Sequence, residues 1–91
     1  MDKAVITVVG KDTVGIIAKV CTYLAERQVN ILDISQTIVD GIFSMMMIVD
    51  ISGLKESFHE LAEGLEKIGI QEIGVQIKCQ KEEIFDQMHR I

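Results

Sequence analysis

The sequence predicts an α+β fold: a ferredoxin-like βαββαβ sandwich, with a four-stranded antiparallel sheet, two helices on one face and a short C-terminal helix. Three observations predict it. The hydrophobic pattern switches between strand and helix periods in the order β-α-β-β-α-β. Asp40-Gly41 lies at the centre of that pattern and suits the tight turn of a hairpin. The chain has 91 residues, 48% of them hydrophobic and none of them proline, enough for one domain and too few for two.

Residues 3–9 (KAVITVV) are β-branched and apolar on both faces, as in a central strand. The run 10–13 (GKDT) punctuates them. Residues 14–28 then place Ile17, Val20, Cys21, Leu24 and Gln28 at helical spacing, with Asp12 or Thr13 available as the N-cap. Residues 30–39 alternate, with Leu32, Ile34 and Ile38 on one face and Asp33, Ser35 and Thr37 on the other.

After the Asp40-Gly41 turn, residues 42–51 (IFSMMMIVDI) form a second central strand, ended by Ser52-Gly53. Met45, Met46 and Met47 are consecutive, so they cannot all enter one core. Phe43, Met45 and Met47 are assigned to the helix side, and Ile42, Met46 and Ile48 to the open side with Val5 and Val9.

Residues 54–68 repeat Leu54, Phe58, Leu61, Ala62, Leu65 and Ile68 on one helical stripe, with Gly69 as the C-cap. Residues 71–80 alternate Ile73, Val75, Ile77 and Cys79 against Glu72, Gly74, Gln76 and Lys78. The 3–80 core is followed by 81–91, where Ile84, Phe85, Met88 and Ile91 predict a short amphipathic helix. Right-handed crossovers put both main helices on one face, the first and third strands in the centre, and the second and fourth at the edges.

A net charge of −5 argues against a nucleic-acid surface, which needs a basic patch to meet phosphates. Cys21 and Cys79 are far apart and form no metal-ligand spacing. His59 and His89 have no acidic or cysteine partner at such spacing, so no metal and no cofactor are expected. No signal peptide and no run long enough to span a bilayer is visible, and a cytoplasmic setting is expected.

The stretch VVGKDTVGIIAKV (8–20) followed by LAERQVNILDISQTIVDGIFSMMMIVD (24–50) resembles the ACT domain, and the resemblance covers nearly the whole chain. The G-K-D-x-x-G-I entry into a helix is similar to the ACT domains of formyltetrahydrofolate deformylases and glycine-cleavage regulatory repressors. The DISQTIVDG run and its following Phe and methionines resemble the small stand-alone ACT proteins of bacteria and archaea. The resemblance implies amino-acid or metabolite binding at an interface between ACT domains, and a metabolic enzyme or regulator as the target. The elements it assigns to the ligand are the loop 10–15 and the strand start at Asn30 and Ile31.

Physical chemistry gives those residues roles. A helix start offers unpaired N–H groups and partial positive charge, fit to receive a carboxylate. Val14, Gly15 and Ile16 supply such groups, and Gly15 leaves the approach open. Asn30 both donates and accepts, as the two polar ends of an amino acid require. Asp12 can meet an ammonium group. The second strand is a long edge carrying Ile31, Leu32, Ile34, Ile38 and Val39, which predicts a homodimer.

Catalysis is not expected. The first loop lacks the arginine of an acylphosphatase and the CxxC of a metallochaperone of this topology, and no nucleophile–base or paired-carboxylate constellation stands out. The central strands also lack the exposed aromatics of an RNA-binding domain. The leading function is regulatory ligand binding, and the alternative is a protein-interaction module with no ligand of its own.

Overall fold

The computed structural model describes residues 2–83. Seven elements follow in order: β1 (Lys3–Lys11), α1 (Ile16–Glu26), β2 (Asn30–Val39), β3 (Ile42–Asp50), α2 (Phe58–Ile68), a π-helical turn (Gly69–Ile73) and β4 (Val75–Lys81). The strands form one antiparallel sheet in the order β2-β3-β1-β4. The predicted arrangement therefore holds, with β1 and β3 inside and β2 and β4 at the edges. The segment 84–91, the greater part of the predicted C-terminal helix, lies outside the described residues.

One face of the sheet carries the core. Ala4, Ile6 and Val8 of β1, Phe43, Met45, Met47 and Val49 of β3, and Val75 and Ile77 of β4 meet Ile16, Val20 and Leu24 of α1 and Leu61 and Leu65 of α2. Burying a large aliphatic side chain stabilises by roughly 1.5–3 kcal/mol, so this layer holds the helices to the sheet. The methionine run alternates as predicted: Met45 and Met47 are buried and Met46 is exposed. Asp40 (φ 52) and Gly41 (φ 78) both take positive φ, the requirement of a two-residue primed turn.

Four local expectations need correction. The first helix begins at Ile16 with Gly15 as its N-cap, and neither Asp12 nor Thr13 caps it. Thr13 Oγ1 instead donates to the Lys11 carbonyl (3.3 Å). The stripe also ends early, because Gln28 leaves the helix with φ 61 and is exposed. In β2 a bulge lies between Ile31 and Asp33, so Leu32 is an extra residue and the simple alternation breaks there.

The third correction concerns the second helix, which starts at Phe58, with Leu54 packed on the core from the preceding loop. The fourth is at its end: Gly69 is the C-cap, as expected, but it keeps right-handed helical angles (φ −58, ψ −51), so the chain does not turn away there. It continues through the π-helical turn to Gly74, and β4 begins only at Val75. Ile73 is still buried, held by that turn and not by strand alternation.

Candidate functional site

The loop between β1 and α1 is built by close packing and one unusual backbone conformation. Gly10 is still in the sheet, between Phe43 and Val75. A Cβ there would lie 2.6 Å from Val75 Cγ1 and 2.9 Å from its Cα, so glycine is needed for strand contact. The Asp12 amide donates to the Gly41 carbonyl (2.9 Å), which ties the loop to the β2–β3 hairpin. The Asp12 carboxylate is exposed and makes no hydrogen bond or ion pair among the described residues.

Gly15 has φ 91 and nothing within 4 Å of the position a Cβ would take. No side chain caps the helix that follows, and its first turn holds no acidic residue. The first helical bond runs from the Lys19 amide to the Gly15 carbonyl (3.0 Å), so the donors of Ile16, Ile17 and Ala18 precede the ladder. Ile16 contributes only main chain here, because its side chain is in the core. Val14 beside it is 99% exposed. Chemically, this is a set of converging donors beside an apolar side chain, suited to a carboxylate attached to a small apolar group.

The predicted residues fall into two groups that one chain does not bring together. Asp12, Val14, Gly15 and Ile16 lie at the hairpin end of the sheet. Asn30 pairs with Asp50, which pairs with Lys3, so it lies at the other end. The length of β1, about 27 Å at 3.4 Å per residue, separates them. Asn30 is exposed on the helix-free face, whereas Ile31 pairs with Val49 and packs against the core.

No pattern in the sequence marked the polar cluster between α1 and the start of α2. The Arg27 guanidinium lies 3.4 Å from the centre of the Tyr23 ring, and its Nη1 donates to the Tyr23 carbonyl (3.1 Å). Arg27 Nε is 3.2 Å from Glu56 Oε1, an ion-pair distance outside hydrogen-bond geometry. Burial raises the Tyr23 pKa, although the Arg27 charge opposes it. The groove here, about 480 Å³, is lined by Lys19, Tyr23, Arg27, Ile68 and Glu72, and by none of the predicted ligand residues. Its charges are already matched, Lys19 with Glu72 and Arg27 with Glu56, so it reads as helix packing.

Neither cysteine is placed for chemistry. Burial pushes the Cys79 thiol up to about 12, and both cysteines pack against the core. Among the described residues no group of His, Cys, Asp and Glu side chains could hold a metal ion. No described helix is long and apolar enough to cross a membrane.

The ACT domain family model matches residues 2–80. The chain belongs to the ACT domain family. A UPF0237 protein of Bifidobacterium longum is 62% identical over 91 residues, covering all of both chains. The structure of an ACT domain protein from Streptococcus pneumoniae superposes with a TM-score of 0.80 at 46% identity, over 93% of this chain and 94% of that one. The ligand-free regulatory subunit of aspartate kinase from Thermus thermophilus matches with a TM-score of 0.64 at 32% identity, over 87% of this chain and 50% of that one. This ACT domain thus has relatives of its own length as well as a likeness within a larger regulatory subunit.

Proposed function

We propose that this chain is a regulatory, non-enzymatic module that acts in the cytoplasm as a homodimer and binds an amino acid or a close relative. The observation that carries this reading is the start of α1. Its donors have no cap from their own chain, and the glycine before them leaves the approach empty. Membership of the ACT family and the likeness to an aspartate kinase regulatory subunit support the regulatory role.

The ligand's carboxylate sits on the amides around Gly15 and Ile16, Val14 covers its apolar part, and Asp12 meets its ammonium group. Dimerisation along the β2 edge completes the site. An antiparallel pairing of two β2 strands sets the start of one against the end of the other, which carries the partner's Asn30 and the partner's Ile31 to the hairpin end. There the Asp12–Gly41 hydrogen bond already holds the loop to the hairpin. Asn30 reaches the ligand round the end of its strand, since its side chain starts on the helix-free face. The regulated target is a metabolic enzyme or regulator.

A thermal-shift series with the amino acids tests the reading. A ligand at about one hundred times its dissociation constant stabilises the fold by about 2.7 kcal/mol. In a domain of this size that is a rise in Tm of roughly 10 °C or more. Gly15→Ala forces a side chain into positive φ and towards the donors, and is expected to abolish the shift. Asn30→Ala is expected to weaken binding by roughly 1–3 kcal/mol if the amide makes its contact. No shift with any amino acid would favour the interaction-module reading instead.

A further inference from the structure

Val5 and Val9 stand on the same strand and on the same, helix-free face of the sheet, yet Val5 is 4% accessible and Val9 47%. Val9 is flanked by Ser44 and Gln76, and Val5 by Ile48 and Gln80. Ile48 and Gln80 do not simply screen Val5, because both are themselves half-buried. Ile42, on the strand and face of Ile48, is 55% accessible. The whole row is therefore covered. Both α1 and α2 pack on the opposite face, so neither supplies the cover. The row also has an end: Asp33, which pairs with Ile48 from β2, is exposed. The covered row Gln80–Val5–Ile48 thus spans β4, β1 and β3, about 10 Å from first strand to third.

The described chain ends beside this row. β4 pairs Lys81 with Ala4, next to Val5, and the backbone turns helical at Glu82 and Glu83. Eight residues follow, in which Ile84, Phe85, Met88 and Ile91 recur at helical spacing. Eight helical residues rise about 12 Å, close to the width of the covered row.

From this match we infer that residues 84–91 lie across β4, β1 and β3 as a strap over Val5, and that the strap keeps a second sheet off this half of the face. A helix is about 10 Å across, and two stacked sheets lie about 10 Å apart, so strap and second sheet compete for one space. The contact is the chain's own, and it directs association to the sheet edges. The hairpin half of the face, with Val9, Ile42 and Met46, stays outside the strap. This inference uses no residue of the Gly15 loop and does not rest on the ligand-binding reading.

Thiol labelling of the full chain tests it, with the modified site read by mass spectrometry. Val5→Cys should react with a maleimide about tenfold or more slowly than Val9→Cys, because the strap must open first. Adding Phe85→Asp and Met88→Asp should remove that protection, and the released chain should show stronger association by sedimentation at micromolar concentration. In the unsubstituted chain, NMR should show Overhauser contacts from the Phe85 ring to the Val5 methyls, and these should persist within single chains when labelled and unlabelled protein are mixed. Equal labelling rates at the two positions, protection that survives both aspartates, or contacts that arise only between chains would overturn the strap. Unchanged sedimentation of the released chain would overturn its exclusion of a second sheet.

Discussion

The two helices begin in opposite ways. At α2, Ser57 adopts an extended conformation and its Oγ accepts from the Glu60 amide (3.1 Å). Glu60 places a carboxylate in the first turn, and Lys67 stands in the last, both favourable to the helix dipole. At α1, a left-handed glycine stands where the serine does, with no cap and no acidic residue. The same topological unit is thus closed within its own chain at one end and open at the other. The difference separates a helix start used for stability from one available for a ligand.

The comparison can be broken most severely through Gly10. Gly10→Ala drives a methyl into the Val75 main chain, so β1 and β4 must part before the loop to α1 is reached. A loss of about 1–3 kcal/mol is expected, the usual cost of overpacking, and urea denaturation measures it. Ser57→Ala removes the cap that α2 has and α1 lacks, at a cost of about 1 kcal/mol and a fall in Tm of roughly 4–8 °C. A fall as large from Thr13→Ala would show that α1 has a side-chain cap after all.

Ala18→Glu sharpens the contrast by giving α1 the residue that α2 has at the same helical position. Stability is expected to change by only a few tenths of a kcal/mol, because the dipole gain and the lost alanine propensity nearly cancel. Carboxylate binding should fall sharply, since the donors then face a charge of their own chain, and isothermal titration calorimetry with the amino acid that stabilises the parent measures it.

The smallest effect is in acid, at the end of the sheet. Asp50 accepts from the side chain (2.6 Å) and the amide (3.0 Å) of Ser52, and these bonds lower its pKa. A lowered carboxyl pKa contributes stability above the unfolded value, and that contribution is lost as pH falls through the folded value. Ser52→Ala should therefore raise the Asp50 pKa and weaken the dependence of Tm on pH below about pH 4. An NMR titration of Asp50 that does not move would rule this out.

Much of the fold was legible in the sequence, whereas the contrast between the helix starts was not, and the gaps have physical causes. The primed turn at Asp40-Gly41 is a local pattern and was read as one. The S-x-x-E box at Ser57 is equally local but was passed over, because the apolar stripe continues back to Leu54 and the helix was expected from there. The faces of Met45, Met46 and Met47 follow from the two-residue strand period alone. The bulge at Leu32 was hidden because Ile31 and Leu32 are both apolar, so a shift of one residue leaves no mark in composition. The cap at Gly15 was misplaced to Asp12 or Thr13 because those side chains suit a cap better, and only their tertiary positions exclude them. Tyr23 and Arg27 stack one helical turn apart, but Glu56 comes from a distant loop. The loop glycines were visible as candidates, whereas the separation of Asn30 from Gly15 depends on strand pairing.

The strand order β2-β3-β1-β4 also decides how the chain can be divided. A cut between Asp40 and Gly41 leaves β1, α1 and β2 in one fragment and β3, α2 and β4 in the other. Within the first fragment β1 and β2 are not neighbours, and within the second neither are β3 and β4. All three ladders, β2–β3, β3–β1 and β1–β4, cross the cut. Neither fragment retains a single strand pair of its own, yet each presents the edges the other lacks. Expressed separately the pieces should remain unstructured, and mixed they should reconstitute the sheet by interleaving, so that folding itself becomes an encounter between two molecules.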